Sequence, residues 1–558
     1  MQGPFVRNGK TLLSGIDPLR LSRRTADAVS VKDRTLYFCP SPLFGYGLDR
    51  LLERLEAEAP NSAVLCIEAD IELFELACNS IAPSLTQNKK LRITNIREEA
   101  ALCAFVRESW GARAFRRLET VRLSGGWQLF PQLYDSLCET LRREIAADWS
   151  NAMTLAKLGR LYIRNALVNL SLTPVFPSIE KLSFGSLPVL VLGAGPSLDE
   201  TLNALESRFR EFIRSPESRP FRIICVDTCL GALKDRNITP DLAVILESQH
   251  WNLRDFTGCR GWNVKAAVDF SALPASTRTL GGEGFLFMTP WTSLRIFDRL
   301  KDAGLLPAVI PPLGSVGLTA VEIARRISRG KIILSGVDFS FGLDKYHARG
   351  TPGHRAKLNA HTRFRGLFNM SPYAASFAAV SKCAVFVRTS HVMQNYRDLF
   401  EREFARDTRL FDISGTGLPL GIKTLSMEEA LSLLANTEER IFTTELRGVT
   451  RSEEKREERE ERKLLTEKIL DFFNSEIARL KELRGILTGE AAQERLGVLV
   501  DECDYLWANF PDYSGGRRPE LREIASGTDS AVSFLKRVRA EIDPMVRLIE
   551  RGVMKESM

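Results

Sequence analysis

The stretch Val189-Leu190-Val191-Leu192-Gly193-Ala194-Gly195-Pro196-Ser197-Leu198-Asp199 decides the fold. A short apolar run enters a Gly-x-Gly turn, and the chain then takes on helical spacing. By length and composition the run is a buried parallel strand. Gly193 and Gly195 let the backbone turn tightly and let a ligand come close. Pro196 suits the first turn of the following helix, and Leu198, Leu202 and Leu205 give that helix one apolar face. A helix start there offers N–H groups to a phosphate. The turn is not a dinucleotide fingerprint, because Leu198 stands where that pattern needs a third glycine. A strand-to-helix turn without a ligand explains the same residues.

The same alternation runs through residues 183–425. Strands are expected at 189–192, 222–226, 242–246, 265–268, 285–288 and 332–334, separated by helical stretches, which argues for a mostly parallel sheet. Polar residues follow their carboxyl ends: Asp227 and Thr228, Glu247 to Gln249, Asp269, and Asp338. Ligands bind such sheets at that edge, although any one of these residues alone is equally a helix cap. Gly314, Ser315, Val316 and Gly317 bring small residues ahead of a helix expected over 321–327. They allow a second close backbone approach, or simply close helix packing. After the strand at 332–334 come Gly336-Val337-Asp338-Phe339-Ser340 and a polar loop over 342–357 with Tyr346-His347-Ala348-Arg349-Gly350. His347 has the chemistry of an acid, a base or a phosphate partner, and equally of a solvated surface residue.

A length of 558 residues suggests three or four domains, and 44% hydrophobic residues are ample for their cores. No apolar run approaches the ~18 residues of a membrane span. Met1-Gln2-Gly3-Pro4 opens no signal peptide. The ten cysteines, among them Cys39, Cys66, Cys78 and Cys103, lack paired metal spacing, and Cys225 and Cys229 are expected in the core. A reduced, cytoplasmic chain without a metal site is expected. The net charge of +7 comes with no aromatic-interleaved basic motif, so nucleic acid is not an expected partner.

Residues 1–150 read as a Rossmann-like α/β domain, with strands at 35–39, 63–67, 91–94 and 120–123 and a helix over 48–55. The second strand runs into Glu68, which suits a ribose or the cap of the next helix. Residues 151–182 read as a helical linker, with an amphipathic helix over 151–170 and then Pro174 and Pro177. Residues 426–558 read as a helical C-terminal domain. It has a charged run over 452–463, an apolar side formed by Leu465, Ile469, Phe473, Ile477, Leu480 and Leu487, and hairpins broken near 511–519. It is expected to dock on the rest of the chain or on a partner.

Taken in order, these motifs resemble the flagellar motility accessory factors, grouped with the MptE-like proteins of domain of unknown function 115. Gly193 to Leu198 looks like that family's opening motif, and Gly336 to Ser340 with Tyr346 to Gly350 like its later one. Leu13-Ser14-Gly15-Ile16-Asp17-Pro18 and Phe44-Gly45-Tyr46-Gly47-Leu48 are similar to its N-terminal domain. The central residues are also similar to bacterial CMP-sialic-acid sialyltransferases. That resemblance implies that Gly193, Gly195, Pro196 and Ser197 contact CMP, with Thr228 and Gly336 in the same pocket, and that Gly314, Ser315 and Val316 meet the donor. Asp227 and Glu247 stand where the sialyltransferases carry ribose- or phosphate-side polar residues, with asparagine at the position of Asp227. Asp338 shapes the pocket or its cytidine side.

The function implied is transfer of a nonulosonic acid, pseudaminic- or legionaminic-like, from CMP to Ser or Thr of flagellin. Such chemistry needs donors for the leaving phosphate and a base for the acceptor hydroxyl, with Asp227, Glu247, Asp338 and His347 as candidates. No essential cofactor is expected. Two rivals stand beside it: a pterin pyrophosphokinase using ATP and Mg²⁺, and a flagellin-binding assembly factor without catalysis.

Overall fold

The computed structural model describes residues 4–111, 114–342, 345–364, 366, 376–435, 451–490, 493–510 and 527–556, leaving aside the side chains of 451–458, 493 and 553–556. The chain divides into two compact units, Met1–Gly159 with Trp507–Ala531, and Arg160–Leu506 with Val532–Met558.

In the first unit, β1 (Phe5–Arg7) and β2 (Lys10–Leu13) form an antiparallel pair. β3 (Thr35–Pro40), β4 (Ala63–Ile67), β5 (Leu91–Thr94) and β6 (Arg117–Thr120) form a parallel sheet in the order β5-β4-β3-β6. Every residue of β3 and β4 is buried, because each face of the sheet is covered. Leu36, Phe38, Leu65 and Ile67 pack with Leu137 and Leu141, while Tyr37, Cys39, Val64 and Cys66 pack with Leu48, Leu51 and Leu55. The last strand is Arg117–Thr120, not 120–123. Just past the strand's end Val121 N still donates to Phe38 O at 2.8 Å, and the burial of Val121 and Leu123 reports packing where the chain leaves the sheet. Glu68 is fully buried and accepts from Ser41 Oγ at 2.6 Å and Tyr134 Oη at 3.3 Å. The cap expected of it belongs to Asp70, which accepts from Leu73 N at 3.2 Å.

The helix expected over 151–170 is Pro131–Leu170. Within the second unit its end holds the sheet's loops. Asn165 Nδ2 donates to the carbonyls of Ser248 and Ser271, and Asn169 Nδ2 to those of Phe270 and Ala272.

The second unit is built on β7 (Val189–Leu192), β8 (Arg222–Val226), β9 (Leu242–Ile245), β10 (Val264–Asp269), β11 (Gly281–Met288), β12 (Ala308–Val309) and β13 (Ile332–Ser335). β14 (Phe377–Val380) and β15 (Phe386–Thr389) form a separate antiparallel hairpin, and β16 (Leu410–Ile413) and β17 (Lys423–Leu425) complete the large sheet. Its order is β12-β11-β10-β9-β8-β7-β13-β16-β17, parallel throughout. The chain steps outward from β7 to β12, then returns through the helix Val316–Ile327 to place β13 on the other side of β7. That helix begins five residues earlier than expected, with Ser315 as its cap. Adjacent strands β7 and β13 therefore lead on to β8 and β16 on opposite sides, which makes their carboxyl ends a topological switch point.

The mixed α/β architecture, the central parallel sheet and the helical C-terminal region agree with the sequence reading. The helix Arg451–Thr488 docks on the helix Arg295–Asp302. Buried Glu476 takes Arg299 in a two-pronged pair (2.6 and 2.9 Å), Arg479 at 2.6 Å and Tyr505 Oη at 3.2 Å. The break expected near 511–519 lies outside the described residues.

Candidate functional site

The Gly193–Ser197 turn and the Gly336–Ser340 turn meet at the switch point. Gly193 N donates to Ser335 O and Gly195 N to Gly336 O, both at 2.8 Å. A Cβ on Gly193 or Gly195 would run into the Gly336 carbonyl, and on Gly195 into the Asp338 carboxylate as well. Gly336 itself has φ +69°, which favours glycine. These glycines are thus demanded by the approach of two loops. Ser197 N donates to Asp338 Oδ2 at 2.8 Å and Ser197 Oγ to Asp338 Oδ1 at 2.6 Å, while Gly336 N donates to Ser197 Oγ at 3.2 Å. Asp338, 2% exposed, sits at the start of the helix Leu198–Arg208 as an internal anion. Pro196 precedes the Ser197 cap and lies outside the helix's first turn.

The loop with His347 lies over this junction. Ala348 N donates to Ala194 O at 3.0 Å, Arg349 N to Asp199 Oδ1 at 2.9 Å, and Lys345 Nζ pairs with Asp199. Burial, then the Lys357 ammonium, push His347 down to about 4. Its ring is neutral at pH 7.

On the far side of Asp338 lies a cluster that the sequence reading missed. Lys382 and Asp412 form a buried pair at 2.6 Å, and Lys382 N donates to Gly417 O at 2.9 Å. Burial pushes Asp412 up to about 6 against the pull of Lys382, and Asp338 adds to the rise. Gly415 and Gly417 pack on Ser197 and Asp338. Ser414-Gly415-Thr416-Gly417 after β16 was the available signal; nothing in the sequence marks Lys382.

A second group follows β8 and β9. Asp227 accepts from Thr228 N (2.8 Å), Thr228 Oγ1 (3.3 Å) and Asn252 Nδ2 (2.8 Å). Thr228 Oγ1 lies 3.3 Å from Asp255 Oδ2 as well, so its single proton is shared between the two carboxyl groups. Burial, then the neighbouring Asp255 charge, raise Asp227 to about 7, so it holds a proton for part of the time at neutral pH. Burial also raises half-exposed Asp255. Glu247 is exposed and accepts from Gln249 N at 2.9 Å. Asn252 and Asp255 come from a 3-10 helix, His250–Phe256, which has no apolar period to reveal it.

The third group is the start of the helix Val316–Ile327. Gly314 is exposed with φ +69° and packs against the Tyr396 ring, whose centroid lies 6.4 Å from that of Phe339. Ser315 Oγ accepts from Gly317 N at 3.3 Å. The helix packs across β7, β8 and β9, and its first turn holds no acid. Val316 N lies in that turn, among the donors a helix start leaves over.

Residues 162–344 match the family model described as "6-hydroxymethylpterin diphosphokinase MptE-like". The match covers the central region, from the end of the long helix through the loop after β13. That region holds Gly193 to Ser197, Asp227, Thr228, Glu247, Gly314 to Val316, Gly336 and Asp338; His347 lies just beyond it. The chain is 28% identical over 565 residues to a Treponema pallidum (strain Nichols) protein described as uncharacterized, covering 98% of this chain and 94% of the relative. It is also similar to the solved MAf glycosyltransferase from Magnetospirillum magneticum AMB-1, with a TM-score of 0.51 and 14% identity over 100% of this chain and 85% of that one. That likeness shows the fold. The family match supports the motif resemblance over residues 162–344. Among the described residues, no helix is long and apolar enough to cross a membrane.

Proposed function

We propose that the chain is a glycosyltransferase that moves a nonulosonic acid from its CMP-activated form to Ser or Thr of flagellin. The observation that carries this reading is the carboxyl edge of the parallel sheet. It presents the acid-free first turn of the Val316–Ile327 helix, whose Gly317 amide is capped by the neutral Ser315 hydroxyl, and the carboxyl pair Asp227–Asp255. The likeness to a glycosyltransferase of the same fold supports the reaction class.

In this reading the N–H groups at the start of the Val316–Ile327 helix bind the donor's phosphate, stabilising the charge that grows as CMP leaves. Asp255 is the half-exposed member of the pair and takes the acceptor's hydroxyl proton. The acceptor oxygen bonds to the anomeric carbon as that carbon's bond to the phosphate oxygen breaks, and the electron pair leaves with CMP. Thr228 links Asp255 to Asp227, whose protonation near pH 7 sets the local charge. Asp338 and His347, considered as bases from the sequence, act as positioning groups here, since Ser197 occupies one and burial suppresses charge on the other.

The test is the intact mass of co-expressed flagellin in a host supplying CMP-nonulosonic acids. Increments of one sugar, lost in Asp255→Asn with its fold intact, are expected. Unmodified flagellin despite donor supply contradicts the proposal for those donors. The pterin diphosphokinase reading draws on the family description of 162–344. It requires Mg²⁺-dependent turnover of a hydroxymethylpterin with ATP, which the transferase account expects to be absent.

A further inference from the structure

The segment after β9 has two faces. Its inner face is fixed. Asn252 Nδ2 holds Asp227, Asn252 N donates to Gln249 O at 3.1 Å, Thr228 holds Asp255, and Phe256 is buried. The Ser248 carbonyl just upstream is gripped by Asn165 at 3.1 Å. The outer face carries Trp251, 58% exposed. Leaving so large an apolar ring in water forgoes its burial, yet this one stands on a rigid base beside the carboxyl pair. His250 packs on it, with ring centroids 4.2 Å apart. Arg254 lies 5.7 Å from the indole centroid and donates through Nε to Trp251 O at 3.3 Å. Among the described residues no carboxylate forms an ion pair with Arg254.

We propose that Trp251 and Arg254 form the subsite for an acidic sugar, the indole stacking on the C–H face of the pyranose ring and the guanidinium taking its carboxylate. The proposal rests on the transferase reading and names the chemistry of the group transferred. An indole offers a flat apolar face that suits a ring, and an arginine fork suits a carboxylate. A neutral sugar leaves Arg254 unused, and a nucleobase brings no anion to it.

The full chain is titrated by calorimetry and saturation-transfer NMR with N-acetylneuraminic acid, its methyl ester, and CMP. The acid is expected to bind wild type better than the ester. Trp251→Ala weakens the acid at least about tenfold, Trp251→Phe retains part of the binding, and Arg254→Gln removes the preference for acid over ester. CMP affinity and melting temperature stay unchanged, because both side chains are exposed. Equal binding of the acid to Trp251→Ala, absence of acid binding, or indifference between acid and ester overturns the proposal. Joint loss of acid and CMP in Trp251→Ala also overturns it, since the nucleotide then occupies the platform. Failure of the transferase reading shows separately, as wild type that binds no CMP and adds no mass to flagellin, whatever the sugar titration gives.

Discussion

Two helices start at the carboxyl edge of the large sheet, and they are used differently. The helix Leu198–Arg208 follows the turn that most resembles a phosphate loop, but its amides are already engaged. Ser197 N meets the Asp338 carboxylate, Leu198 N the Gly195 carbonyl, and Asp199 and Glu200 fill the first turn with negative charge. The helix Val316–Ile327 follows a less conspicuous run, yet its first turn carries no acid and its approach, through Gly314, is exposed. The lesson is that glycines in a Gly-x-Gly turn can be demanded by a neighbouring loop. Here Gly195 makes room for Gly336 and Asp338. The first helix start is a structural junction, and in our account the second is the place for an anion.

The strongest way to break this contrast is to remove the internal anion. Asp338→Ala leaves the Ser197 amide and hydroxyl without their partner in a buried place. It is expected to cost about 3 kcal/mol, read as a lowered denaturation midpoint. Gly195→Ala forces a Cβ into the same junction and is expected to cost about 1–3 kcal/mol. If instead both variants keep wild-type stability and lose only CMP binding, the junction is a ligand site and the contrast fails. Ser315→Asp sharpens it from the other side. Aspartate caps a helix as well as serine does, so stability is expected to hold, while its charge opposes a phosphate and lowers CMP affinity about tenfold, or ~1.4 kcal/mol.

The smallest expected effects are pH slopes. Asp227 titrates near 7 in the folded chain, far above an ordinary carboxyl, so the folded state holds a proton that the unfolded state releases between about pH 4 and 7. Its contribution to stability is therefore lost as pH rises through that window, and Asp227→Asn flattens that loss. His347 has the opposite sign. Its folded value of about 4 lies below the ordinary 6.5, so stability is lost as pH falls from about 6.5 to 4, and His347→Gln removes that part. Denaturation midpoints across pH 4–8 separate the two. Slopes unchanged in both variants contradict the burial assigned to these groups.

What the sequence made legible follows from these packing differences. Strands β3, β4, β7, β8 and β13 announced themselves because both faces are covered, which writes a continuous apolar run. β16 did not, since buried Asp412 interrupts Leu410-Phe411-Asp412-Ile413 and finds its partner in Lys382, 30 residues away. The start at Val316 was hidden because glycine and serine are poor helix formers and only the cap identifies them. At the site, the sequence marked Gly193, Gly195, Ser197, Asp227 and Asp338 as chemistry-bearing but did not reveal that Ser197 and Asp338 satisfy each other. Asn252, Asp255 and Trp251 went unmarked because a 3-10 turn carries no period, and their meaning comes from what Asp227 and Thr228 touch.

The most direct measurement is a crystal structure of the full chain with CMP. The account predicts the phosphate on the Val316 amide, and on the Gly317 amide in exchange for Ser315 Oγ, with the Ser197–Asp338 hydrogen bonds unbroken. A phosphate seated on Gly195 to Leu198, with Asp338 displaced from Ser197, would contradict it.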